Sequence, residues 1–240
     1  MNAIALITGA NKGIGFEIAR QLARRGMTVI VGARDPQRGK EAVARLKEED
    51  IDVRLVVMDV TDRDTIVAAA REIEKEFGRL DVLINNAGIQ IESGLNASEV
   101  PLNLVRQTYE TNVFGPIAVT QAFLPLLRKS AAGRIVNLST GLGSLAQNNE
   151  PSYEFFAVKH LGYNSSKTAL NAVTVQFAHE LRDTPIKVNA ADPGYTATDF
   201  NNYKGTRTVE QSAVIAVRLA TLQEDGPTGG FFNEAGPLPW

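Results

Sequence analysis

The stretch Ala3-Ile4-Ala5-Leu6-Ile7-Thr8-Gly9-Ala10-Asn11-Lys12-Gly13-Ile14-Gly15 decides the fold. Its first five residues are all apolar, the pattern of a parallel strand buried on both faces. The glycines then permit a tight turn and let the backbone approach a pyrophosphate at the positive end of the next helix, 13–25. The spacing is G-x-x-x-G-x-G, not the G-x-G-x-x-G of the common dinucleotide fingerprint. On its glycines alone the segment reads equally as a cofactor turn or a plain strand-to-helix turn. Its place at the first strand of a βαβ unit favours the cofactor turn.

Outward from this turn the rhythm repeats. Strands are predicted at 3–7, 28–32, 53–58, 82–85, 134–138 and 187–190, with a weaker seventh at 229–232. Helices are predicted at 13–25, 36–49, 62–77, about 102–129, and 162–182. Asp35 before Pro36 suits an N-cap followed by an N1 proline; Asp62 caps the next helix and Gly78 ends it. Alternating strands and helices imply right-handed crossovers and a doubly wound parallel sheet of about seven strands in a three-layer αβα sandwich. Segments 141–161 and 198–207 break the rhythm after strand ends, where such sheets bind ligands. The whole of 1–240 is read as one domain.

Composition bounds the function. The chain has 240 residues, 44% of them hydrophobic, and a net charge of −2, with no basic stripe for nucleic acid. It has no cysteine, which excludes thiolate ligands and nucleophiles, and only two histidines, His160 and His179, so no metal site is expected. No apolar run is long enough to span a membrane, and nothing at the N-terminus reads as a signal peptide, so a cytoplasmic protein is expected.

The end of the second strand selects the cofactor. A carboxylate there would hold the ribose 2′-OH of NAD; this chain has Ala33-Arg34, with Lys12 in the first turn. Two cations suit a 2′-phosphate, which a guanidinium can grip with two hydrogen bonds, so NADP(H) is the expected cofactor. Further on, Tyr163-Asn164-Ser165-Ser166-Lys167 puts a phenol and an ammonium at i and i+4 on one helix face. The ammonium favours phenolate and should lower the phenol pKa, making the pair a general acid/base.

Thr8-Gly9-x-x-x-Gly13-Ile14-Gly15, Asn85-Asn86-Ala87-Gly88, Tyr163-x-x-x-Lys167 and Pro193-Gly194 together resemble the short-chain dehydrogenases/reductases, from the first strand to the last residues. Asn11-Lys12-Gly13-Ile14-Gly15, Ala33-Arg34-Asp35 and Gly230-Phe231-Phe232…Pro239-Trp240 resemble the monomeric carbonyl reductases in particular. The resemblance implies a Rossmann-type fold and a role for each matching position. Gly9, Asn11, Lys12, Gly13, Ile14, Gly15 and Arg34 would hold the phosphates. Asp59 would contact adenine, with Val60 in the same cofactor set, and Asn86, Ala87 and Gly88 would line the adenosine and ribose side. Tyr163 would donate a proton as hydride is delivered, and Lys167 would hold the ribose hydroxyls. Asn112 would anchor a water in a proton relay, and Pro193, Gly194, Thr196 and Thr198 would frame the nicotinamide.

Two departures stand out. The family's strand-five motif ends in two serines, the second orienting the substrate carbonyl; here Ser139 is followed by Thr140. Thr140 is expected to serve, with Ser139 the alternative. The second is an insertion near 147–161, carrying Pro151, Tyr153, Phe155 and Phe156, which is expected to fill a local core. In the resembling monomeric enzymes an insertion here covers a dimerisation face, so monomer and homodimer both stay open. Ile89, Leu142, Phe155, Tyr195, Phe200 and Tyr203 suggest an apolar substrate lining. The function implied is NADPH-dependent reduction of a ketone, aldehyde or quinone. The alternatives are the reverse alcohol oxidation, which the same groups serve, and a dinucleotide-sensing protein without chemistry.

Overall fold

The computed structural model describes residues 2–92 and 94–240. Its strands are β1 (Ile4–Thr8), β2 (Thr28–Ala33), β3 (Val53–Val57), β4 (Val82–Asn85), β5 (Arg134–Leu138), β6 (Lys187–Ala191) and β7 (Phe231–Phe232). They form one sheet in the order β3-β2-β1-β4-β5-β6-β7, every pair parallel. The order reverses between β1 and β4, which opens a crevice at their C-terminal ends.

Alternation along β1 divides the core. Ala5 and Ile7 pack on one face with Phe16 and Leu22 of α1 (Gly13–Arg24), Ala42 and Leu46 of α2 (Pro36–Lys47), and Ile215 and Ala216 of α8 (Val209–Ala220). Ile4 and Leu6 pack on the other with Ile66 and Ile73 of α3 (Arg63–Phe77) and Phe123 and Leu127 of α5 (Gly115–Leu127). Ala178 of α7 (Leu161–Glu180) joins that second layer. A sheet covered on both faces needs apolar side chains on both, which is why β1 carries no polar alternation.

Local capping follows the sequence. Asp35 Oδ1 accepts from the amides of Gln37 at 2.8 Å and Arg38 at 3.1 Å, Asp62 accepts from Asp64 N, and Gly78 ends α3 at φ 74°. Two expectations need correction. The helix expected over 102–129 is α4 (Leu102–Tyr109), a π-helical turn Glu110–Phe114, and α5. Pro116 lacks an N–H and clashes with the carbonyl four residues back, at Asn112, which favours a wider turn there. The segment left without an element, 209–220, forms α8; Thr208 Oγ1 accepts from Gln211 N while the Gln211 side chain accepts from Thr208 N. That Thr-x-x-Gln capping box was the available signal. A four-residue helix α6 (Leu145–Asn148) follows β5.

Candidate active site

The crevice is built by the turns after the strands. After β1, Gly9 and Gly13 take φ of 64° and 59°, a region open to glycine. The close approach is at Gly15: a methyl there would stand 2.3 Å from Asn86 Nδ2 and 2.9 Å from the Gly9 carbonyl. Lys12, the N-cap of α1, makes no side-chain cap, so no side chain competes for the first amides of that helix. Thr8 organises the junction with β4: its hydroxyl accepts from Asn86 N and Ala87 N, each at 3.0 Å. Asn86 Nδ2 donates back to the carbonyls of Thr8 and Gly9 at 2.8 and 3.2 Å.

At the end of β2, Arg34 is 78% exposed, its guanidinium 3.8 Å from Asp59 Oδ2. Asp59 accepts from Thr61 N and Oγ1 at 2.9 and 2.8 Å. Val60 presses against Gly115, where a methyl would lie 3.0 Å from Val60 Cγ2. Lys12, expected to face phosphate, is paired with Asp199 instead. The loop after β6 therefore reaches the glycine turn, and Thr198 Cγ2 lies 3.5 Å from the Cβ position of Gly13.

The chemical groups meet beyond β4 and β5. Asn112, fully buried in the π turn, receives Ile89 N at 2.8 Å and donates to the Ile89 carbonyl at 2.9 Å and Ser166 Oγ at 3.0 Å. Those bonds use its side chain to fix the strand leaving β4. Lys167 is 5% exposed, and its ammonium donates to the Leu138 carbonyl at 2.7 Å. It lies 5.8 Å from the Tyr163 ring centroid, and a methyl on Gly88 would come within 3.5 Å of it. Ser139 is buried and its hydroxyl donates to Asn171 Oδ1 at 2.6 Å, turned into the protein. Thr140, half-buried, accepts from Leu142 N at 3.3 Å. Thr196 is also turned inward, donating to Ser212 Oγ at 2.7 Å.

Electrostatics here correct one expectation. Burial, with the Asp192 carboxylate nearby, pushes the Tyr163 phenol up, so the phenol is held protonated and not drawn toward phenolate. Burial also pulls the Lys167 ammonium down, to about 8. Both groups shift toward their uncharged forms because the pocket removes water from each.

The insertion differs from a local core. Tyr153 meets Phe155 edge-on at 5.7 Å, Phe155 meets Tyr195 at 5.8 Å, and Phe200 stands 5.8 Å from Tyr163. Phe156 faces outward under the Lys159 ammonium. The inserted aromatics thus join the loop after β6 and wall the crevice over Tyr163.

Three participants went unread in the sequence. Thr8 reads in the sequence only as the first residue of the turn. Glu92, 4% exposed, accepts from Tyr163 N at 2.7 Å, and its other oxygen has no partner among the described residues; nothing local signals it. Asp192 accepts from Gly194 N at 2.9 Å, and its position before Pro193-Gly194 was the available signal.

The short chain dehydrogenase family model matches residues 3–208, and the chain belongs to that family. It is an oxidoreductase of the kind that uses a nicotinamide dinucleotide on an alcohol or carbonyl group. Within the family it is carbonyl reductase-like. A short-chain dehydrogenase of Penicillium roqueforti is 40% identical over 91% of this chain and 88% of its own. The (+)-neomenthol dehydrogenase of Arabidopsis thaliana is 34% identical over 95% of each. NADPH-bound carbonyl reductase from chicken fatty liver superposes with a TM-score of 0.86 at 30% identity, over 100% of this chain and 99% of that one. Among the described residues no helix is long and apolar enough to cross a membrane.

Proposed function

We propose that this protein is an NADPH-dependent carbonyl reductase in which Tyr163 is the general acid. The observation that carries the reading is the pairing of a half-buried Tyr163 with a buried Lys167 one turn on, whose ammonium sits between Leu138 O and Gly88. The residues fit the cofactor. The glycine turn leaves amides of α1 uncapped for a pyrophosphate, and the exposed Arg34 supplies a cation for a 2′-phosphate. The Lys167 ammonium retains donors for ribose hydroxyls beside Gly88, and Pro193 and Gly194 offer a wall for the nicotinamide. The bound cofactor supplies hydride to the carbonyl carbon.

The chain supplies the rest. Thr140 donates a hydrogen bond to the carbonyl oxygen; its half-exposed hydroxyl supports this role, whereas the Ser139 hydroxyl is engaged by Asn171. Tyr163 transfers its phenolic proton to that oxygen as charge develops there. Lys167 stabilises the phenolate left behind, and Asn112 holds the strand after β4 against α7 through Ile89 and Ser166. Phe155, Tyr195 and Phe200 exclude water and favour an apolar or aromatic carbonyl compound. The same groups serve the reverse oxidation. NADPH consumption screened over aldehydes, ketones, isatin and quinones, with Tyr163→Phe beside the wild type, tests the reading; undiminished activity in the variant overturns it.

A further inference from the structure

We propose that Asp192 is a positioning residue of this reaction: its carboxylate ties the turn carrying Thr140 to the turn carrying Pro193-Gly194, at the corner that the Tyr153 hydroxyl also reaches. The inference rests on the function proposed above. It names a residue that neither the family motifs nor the sequence reading uses.

Asp192 follows β6 directly, and β6 pairs with β5 through Leu138 and Ala191. Ser139 N donates to Ala191 O at 2.7 Å and Asp192 N to Phe232 O at 2.8 Å, so the backbone on either side is fixed by the sheet. From that rigid base the carboxylate receives Gly194 N at 2.9 Å, and its Oδ2 stands beside Gly141, whose amide favours the ionised form. Gly141 and Gly194 lie next to Thr140 and Pro193, so one side chain sets the spacing of the wall that orients the carbonyl and the wall that meets the nicotinamide. A methyl on Gly141 would stand 3.4 Å from Asp192 Oδ2 and 2.3 Å from Tyr153 Oη, which puts the inserted tyrosine at the same corner.

The charged and titratable groups around this corner are Tyr163 and Lys167 on α7, Tyr153 and Glu154 in the insertion, Arg207 ahead of α8, and Glu234 beyond β7. Burial pushes the Asp192 carboxyl up, while its two amide donors and Arg207 favour the ionised form. Its negative charge pushes both Tyr163 and Tyr153 up. A cavity of about 350 Å³, lined by Asp192, Gly194, Arg207 and Glu234, opens on this side of the loop. Asp192 therefore holds the two turns together, and its charge adds to the burial that keeps the proton on Tyr163.

The test compares wild type, Asp192→Asn and Asp192→Ala in two measurements. The first is tyrosinate absorbance against pH, taken as the difference from the same protein carrying Tyr163→Phe, which isolates the Tyr163 ionisation without turnover. The second is the alkaline limb of kcat/KM for a reduced aryl aldehyde. Asp192→Asn removes the charge and keeps an acceptor, so Tyr163 should ionise about one pH unit lower, while the alkaline limb stays set by Lys167. Asp192→Ala also frees both turns, and its kcat at pH 7 should fall about tenfold below that of Asp192→Asn. Superimposable Tyr163 titrations in wild type and Asp192→Asn overturn the inference, as do equal kcat values for the two variants. A wild type that turns over carbonyls beside an unshifted Asp192→Asn sinks this inference alone. A wild type that oxidises NADPH with no carbonyl sinks the proposed function, and the Tyr163 titration still decides the role of Asp192.

Discussion

Replacing Lys167 by methionine should make the stability of the folded chain respond differently to pH. The side chain is 5% exposed, and burial lowers its pKa from 10.5 to about 8. That is a drop of about 2.5 units, worth about 3 kcal/mol at about 1.4 kcal/mol per unit. A lowered lysine pKa means the folded chain holds this proton less tightly than the unfolded chain. Between pH 8 and 10.5 the unfolded state carries the extra proton, so stability rises with pH across that window. Below pH 8 both states are protonated and the burial cost is fully present; above 10.5 both are neutral and it is gone. Methionine keeps the apolar stem and has no proton to lose. It also leaves the Leu138 carbonyl without its donor, a loss of about 1–3 kcal/mol that does not depend on pH.

The quantity to measure is therefore the change in the difference between the two proteins. Urea unfolding followed by circular dichroism at pH 7, 9 and 10.5 should show wild type gaining about 3 kcal/mol relative to Lys167→Met from the first pH to the last. Other groups titrate alike in both proteins and cancel. A difference that stays within about 1 kcal/mol over this range would refute the buried, proton-shedding lysine. Carbonyl reduction by Lys167→Met should be lost at every pH.

Three further outcomes follow from single contacts. Arg34→Asp should weaken NADPH binding by roughly 10- to 100-fold, the scale of a lost charge-assisted contact, and NADH binding far less; calorimetric Kd values for the two cofactors check it, and unchanged NADPH affinity removes Arg34 from the 2′-phosphate. Thr140→Ala should lower kcat by about 100-fold as a donor to the carbonyl oxygen is lost, with Ser139→Ala much milder in steady-state kinetics; the reverse ranking exchanges their roles. Gly15→Ala places a methyl 2.3 Å from Asn86 Nδ2 and should cost about 1–3 kcal/mol in thermal unfolding while weakening cofactor binding. An unchanged Tm and cofactor Kd would show that Asn86 can move aside.

What the sequence made legible was local. The caps at Asp35 and Asp62 and the glycine stop at Gly78 depend on residues two to four positions apart, and they formed as read. The layers followed from period two in β1. Tertiary effects were harder to see. The break at Glu110–Phe114 depends on Pro116, whose clash with Asn112 disturbs an otherwise helical pattern. Ser139 and Thr140 look interchangeable until α7 brings Asn171 to the first of them. Lys12 has the right charge for a phosphate, but its pairing with Asp199 arises from a loop 187 positions away. For Tyr163 the spacing correctly placed a cation one turn on, yet the sign of the shift came from burial and from Asp192.

That reversal clarifies why a protein keeps a buried lysine at all. With the Tyr163 proton in place, the Lys167 ammonium faces no anion in its own turn, and burial costs it about 3 kcal/mol. In the proposed reaction the proton leaves Tyr163 and a phenolate appears. The ammonium lies 5.8 Å from that ring, where attraction at an effective dielectric of about 20 is about 3 kcal/mol. The two magnitudes are of the same order. The cost of burying the cation is therefore offset in the state where the proton has left Tyr163 and not in the resting state, which is the condition for the interaction to lower the barrier instead of merely tightening the ground state. On this argument Lys167→Met should lose kcat more than it loses affinity for the carbonyl substrate, and a variant with kcat preserved and KM raised would place the lysine in substrate binding instead.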